Sequence, residues 1–135
     1  MNRLLRGRDG SSVVEMALLM PLFLLILFGI VEGAEVLNAW MILTNETREA
    51  ARYGVAGVRD GDASLVTEIQ SKTTSDLSAV LRGTPTVNVS LTTAGGLTTA
   101  VSVTATYNVP LLTPFTQAAM GSSVPVTVTS TMRAE

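Results

Sequence analysis

Glu15 is the residue whose surroundings ask for chemistry. It sits near the start of an apolar run, in which 16 of the 21 residues from 11 to 31 are hydrophobic. An ionised carboxylate costs about 2.5–3.5 kcal/mol at the centre of a membrane-spanning helix and less near the interface. Either Glu15 lies at headgroup level and reaches water, or it meets a cation from another chain, because a charge tolerates removal from water only when paired. Pro21 interrupts the same run and removes a backbone hydrogen bond. It is either a bend with a function or an ordinary membrane proline. Gly29 and Gly33 form a Gly-x-x-x-Gly, which permits close helix packing and also arises often by chance.

The remaining chemistry is thin. The 135 residues contain no His and no Cys. This excludes a Ser-His-Asp triad, a Cys nucleophile, a disulfide and an ordinary structural zinc site. Lys72 is the one plausible base for a Ser or Thr nucleophile, and no Ser-x-x-Lys accompanies it. Asp60 and Asp62 flank Gly61 as in a calcium loop, but the later ligands and closing Glu are missing, so a turn is the better reading. Asn45-Glu46-Thr47 and Asn88-Val89-Ser90 match glycosylation sequons and are read as chance. Nine basic against eleven acidic residues, with 4% aromatics, argue against nucleic acid as a partner. The chain is read as a non-enzyme without a cofactor or metal.

These residues must be positioned by a small number of elements. A helix over the apolar run spans roughly 30 Å, the thickness of a bilayer core. Arg3, Arg6 and Arg8 precede it with Asp9, whereas Glu32 and Glu35 follow it. The positive-inside rule therefore places the N-terminus in the cytoplasm and the remainder across the membrane. A conventionally cleaved secretory signal fits poorly, because Val31-Glu32-Gly33-Ala34 carries an acid where small neutral residues are wanted. Three-four spacing continues through Ala34, Leu37, Trp40/Met41, Thr44, Arg48, Ala51 and Val55. This predicts one helix over about 12–54, its inner half in the membrane and its outer half an amphipathic spine, broken at Gly54, Gly57 and Gly61. Glu46, Arg48, Glu49 and Arg52 make a charge-rich surface, either simply solvated or used for docking.

Asp62 is placed to cap a second helix over 63–81, with Leu65, Val66, Ile69, Leu77, Val80 and Leu81 on its apolar side and Thr73-Thr74-Ser75 weakening its middle. From 83 to 132 there are fifty residues without a charge. Three segments there alternate with period two, around Val87–Leu91, Val101–Val109 and Val124–Val128, which predicts antiparallel strands with one apolar and one Thr-lined face. Ala94-Gly95-Gly96 supplies a hairpin turn, and Pro125 suggests an edge strand. The connection from 110 to 123 is expected to carry a short helical turn over the sheet end. The fold class is α+β: a long N-terminal transmembrane and spine helix, a second amphipathic helix and a small three-stranded antiparallel sheet.

The basic leader, Gly10, four further residues and Glu15, then a long apolar helix, resemble the class III signal of type IV pilin-like proteins. More closely, the sequence resembles the TadE-like pseudopilins of tight adherence (Tad) pilus systems. The resemblance is carried by Gly10, Val14-Glu15, Ala17, Pro21, the aliphatic run, Gly29 with Glu32, and Arg48-Glu49-Ala50-Ala51-Arg52-Tyr53. Met16 stands where the family more often has an aromatic, and Ser11 where true type IV pilins have Phe. The resemblance implies a leader over 1–10, cleaved between Gly10 and Ser11 on the cytoplasmic side by a prepilin peptidase. It also implies a transmembrane helix over 11–33 and an extracytoplasmic domain over 34–135. Glu15 would meet the new α-amino group of Ser11 on a neighbouring subunit, with Pro21 and Arg52 serving assembly.

The expected role is a minor pilin or pseudopilin, a structural subunit in the assembly or initiation of a Tad-type pilus for surface adhesion. Its expected partners are other Tad pilins, the prepilin peptidase, the inner-membrane assembly platform with its ATPase, and membrane lipid. The alternative is an unprocessed, single-pass, membrane-anchored binding or scaffold module.

Overall fold

A computed structural model of the chain describes residues 8–60, 64–94 and 97–134. The first helix, α1, runs from Arg8 to Asp60 without interruption, a length of about 80 Å at 1.5 Å per residue. It extends further at both ends than the spacing predicts, and Pro21 lies inside it without ending it. Its two halves meet different surroundings. Every residue from 10 to 31 is exposed, whereas from Glu32 outward a buried stripe recurs at Ala39, Leu43, Thr47, Ala50, Ala51 and Gly54.

That stripe has the expected helical period but a different phase. Leu37, Trp40 and Met41, expected on the packed side, are exposed, and of the predicted row only Ala51 is fully buried. The physical reason is close approach. A stripe of mostly small side chains lets the sheet come near the helix axis, which the bulkier residues would prevent.

The second helix, α2 (Leu65–Val80), returns along α1 and buries Leu65, Ile69, Thr73 and Leu77 at every fourth position. Thr73 lies within this buried row, so the expected weak middle is a continuous packed helix. Val80, expected on the apolar side, is exposed. The proposed cap at Asp62 and the Asp60/Gly61/Asp62 turn lie outside the residues whose side chains are described. Ser64 stands at the N-cap position and makes no side-chain cap bond.

Three antiparallel strands follow in the order β1 (Thr86–Ala94), β2 (Leu97–Pro110) and β3 (Ser123–Arg133). Ala94 pairs with Leu97, so the hairpin connection falls at residues 95–96, which are not described. Val101, Val103, Ala105, Tyr107 and Val109 of β2 form the buried face. Here α1 packs on β2 and β3, while α2 packs on α1 and β1. Pro125 lies on the edge strand β3, as expected of a residue that cannot donate to a ladder. The opposite sheet face carries a ladder of hydroxyl pairs: Ser102 with Thr131 at 2.9 Å, Thr104 with Thr129 at 2.9 Å and Thr106 with Thr127 at 3.0 Å. Inside, buried Thr47 of α1 is satisfied by Ser130 of β3 at 2.8 Å.

Gly54 and Gly57 do not break α1; they let it be approached. A Cβ on Gly54 would stand 2.8 Å from Val101 Cγ1 and 2.9 Å from Ile69 Cδ1, and one on Gly57 would collide with Leu65. Gly54→Ala gains about 1 kcal/mol of helix propensity but overpacks the core, which typically costs about 1–3 kcal/mol. The expected outcome is a lower midpoint for thermal unfolding of the full chain in detergent, followed by near-UV circular dichroism. Gly33→Ala is the matched control, because its added Cβ meets nothing within 4 Å, and its midpoint should hold or rise. Equal midpoints for the two variants would contradict the packing role of Gly54.

Candidate functional site

The residues singled out along α1 fall into two groups. Gly10, Ser11, Glu15 and Pro21 all lie on the exposed apolar half. A Cβ on Gly10 would meet nothing within 4 Å, so no packing requirement explains a glycine there. Glu15 has no hydrogen-bond or ion-pair partner among the described residues. Helix α1 carries Glu15 on a surface that the rest of the fold leaves uncovered. Around it Val13, Val14, Met16, Leu18 and Leu19 are exposed as well.

Arg52 lies far along the helix from that group. Its guanidinium donates to Glu49 Oε2 at 2.9 Å, with both side chains well exposed, a pair worth at most about 1 kcal/mol. The Arg48–Tyr53 element therefore divides by face. Ala50 and Ala51 are buried, and their small size admits the neighbouring elements. Arg48, Glu49, Arg52 and Tyr53 point outward. The Tyr53 hydroxyl donates to Glu68, and Lys72 Nζ stands 5.1 Å from the Tyr53 ring centroid. Tyr53 thus ties α1 to α2 at the surface, with a cation–π contact worth about 0.5–1 kcal/mol at an exposed site.

The most heavily bonded carboxylate was not singled out by its chemistry in the sequence. Glu32, at the outer end of the apolar run, is only 6% exposed. Its Oε1 accepts from the backbone N–H of Leu112 at 3.1 Å and of Thr113 at 2.9 Å. The hydroxyls of Thr113 and Thr116 lie 3.0 and 2.9 Å from the same oxygen. These donors open α3 (Pro114–Met120), a short helix capped by Thr113 with Pro114 in its first turn. A carboxylate aimed at free N–H groups of a helix start satisfies both partners at once. Glu32 and Thr113 are 81 positions apart, so no local spacing reveals the contact. The available signals were an acid closing an apolar run and a Thr-x-x-Thr in an uncharged connection.

Glu32→Ala removes the acceptor shared by two backbone and two side-chain donors. The expected result is faster hydrogen exchange at the Leu112 and Thr113 amides with unchanged protection in β2. Glu32→Gln, which keeps an acceptor oxygen, should lie between. Unchanged exchange at Leu112 and Thr113 in the Ala variant would show that the carboxylate does not hold this turn.

Among the described residues no group of three or more acids comes together as a metal site. One helix, Gly10–Val58, contains a window long and apolar enough to cross a membrane, and none of that window is buried against the rest of the chain. This suggests a membrane-anchored protein. No curated protein and no solved structure matches the chain. Residues 10–52 match the family model described as TadE-like protein. The match spans Gly10, Glu15, Pro21, Glu32 and Arg52, so the stretch of helix from Gly10 to Arg52 is similar to TadE-like proteins.

Proposed function

We propose that the chain is a minor pilin or pseudopilin, a structural subunit that takes part in assembly or initiation of a Tad-type pilus. It is inserted in the bacterial inner membrane with its N-terminus cytoplasmic and is cleaved between Gly10 and Ser11 by the prepilin peptidase. The observation that carries this reading is the exposed Glu15, placed without a described partner in the apolar half of α1. A carboxylate at such a position is stabilised by a cation from outside the chain. Cleavage creates one at the right level, the α-amino group of Ser11 on a neighbouring copy or another pilin.

Two further features support the reading. The Gly10–Ser11 bond lies within the first turn of α1, where helices fray, so a protease needs to unwind little. The exposed apolar surface also continues above the membrane segment through Leu37, Trp40 and Met41. This gives neighbouring helices a contact longer than the bilayer. Pro21 supplies a site for bending as the helix moves from lipid to filament, and Arg52 a charged contact for partner pilins and the assembly platform. The extracytoplasmic domain over 34–135 then rides on the outer half of the same helix.

Intact-mass measurement of the membrane-extracted protein tests the processing step. The expected chain begins at Ser11; a chain that retains Met1 would favour an unprocessed anchored module instead. Gly10→Val should leave the precursor uncleaved. Because a side chain there meets nothing in the fold, that block is not a packing defect. Glu15→Leu should be cleaved normally yet be missing from purified pili by mass spectrometry. Normal incorporation of the Glu15→Leu chain would refute the pairing role.

A further inference from the structure

We propose that α3 and its flanks form a foot that enters the outer leaflet of the same membrane that α1 spans. The proposal rests on the membrane anchor and goes beyond it, because it concerns the extracytoplasmic domain. Helix α3 contributes no buried residue to the core. The large apolar side chains of α3 and the flank before it point away instead: Leu112 is 53% exposed, Phe115 61% and Met120 66%. A helix this short has little stability of its own in water, and an outward apolar surface needs a cover.

The cover is identified by continuity. Phe115 and Thr116 share a concave apolar surface with Leu24, Leu25 and Phe28 of α1. Leu25 lies about 9 Å below Val31, the end of the apolar run, at 1.5 Å per residue. When residues 11–31 occupy the bilayer, Phe115 therefore lies among the acyl chains, at the depth of roughly 5–10 Å reached by interfacial helices. The groove it forms with α1 opens directly onto lipid.

The polar groups of this segment are arranged for such surroundings. Non-helical backbone at membrane depth is tolerated only when the protein satisfies its hydrogen bonds. Here Glu32 takes the donors of Leu112, Thr113 and Thr116. The Gln117 side-chain amide donates to the Leu111 carbonyl at 2.7 Å, and Leu111 N–H donates to the Ser122 carbonyl at 3.0 Å. No charge occurs between residues 83 and 132. The cation before this stretch, Arg82, lines a cleft with Glu35, Asn38 and Leu112, and Glu35 and Asn38 lie beyond the end of the apolar run. Glu32 fixes the depth of the foot by joining it to α1.

The test uses the full chain reconstituted in phosphatidylcholine vesicles with acyl chains brominated near the headgroup to read the foot and, in a second preparation, near the chain ends to read the span. Tryptophan reporters are placed in a Trp40→Phe background, one at a time: Phe115→Trp for the foot, Leu112→Trp as a second foot position, and Phe23→Trp for the span. The expected result is blue-shifted emission and about twofold quenching at both foot positions, with the native Trp40 of the unmodified chain unquenched. Unquenched foot reporters beside a quenched Phe23→Trp would overturn the proposal while leaving the anchor intact. A blue shift without quenching would show a protein cover, such as a second copy, and would overturn it equally. If Phe23→Trp is also unquenched, the span is not in the bilayer and both readings fall. Leu112→Trp decides the matter should Phe115→Trp fail to fold.

Discussion

Close approach of a sheet to one stripe of α1 is the constraint on which the rest of the structure depends. Ala39, Leu43, Thr47, Ala50, Ala51 and Gly54 present a narrow, mostly small-residue surface. Against it the fully buried Val101 and Val103 of β2 can pack at near-crystalline density. Because this stripe holds the domain, α1 serves as both its core helix and its stalk. The bulky residues Leu37, Trp40 and Met41 are turned outward by the same geometry and extend the exposed apolar surface beyond the apolar run.

A 53-residue helix with one packed half and one naked half leaves the domain's height above the bilayer to be determined. Glu32 does this. It stands where the exposed apolar run ends and the buried stripe begins, and its carboxylate gathers the start of α3. Two acids on one helix thus behave oppositely. Glu32 is satisfied within the chain, while Glu15 faces outward and has no partner among the described residues.

Much of this was legible in the sequence because it is local. Alternation of Val and Thr placed all three strands, Pro125 indicated an edge, and the apolar run with its flanking arginines indicated a membrane helix. The Gly10–Glu15 spacing and the Arg48–Tyr53 element pointed to the TadE-like family, which the match over residues 10–52 supports. What was not legible depends on pairs distant in sequence. The phase of the α1 stripe follows from which side chains the sheet can approach, and size, not hydropathy, decides that. Gly54 and Gly57 read as breakers because a glycine needed for contact with Val101 or Leu65 looks locally like any other. Thr73 read as a weak point because its burial follows from the packing of α2 and not from its type. The Glu32 clamp required knowing where residues 112–116 return.

The central claim is that Glu15 is neutralised by an amine created by cleavage. A membrane-soluble carbodiimide joins a carboxylate to an amine only when they touch, and applied to intact pili it reads this contact directly. The expected product is a cross-linked peptide in which the Glu15 side chain is bonded to the α-amino group of a processed subunit, on Ser11 of this chain or the first residue of a partner pilin. Pili that contain this chain but yield Glu15 only as an unlinked carboxylate, on a chain that still begins at Met1, would contradict it.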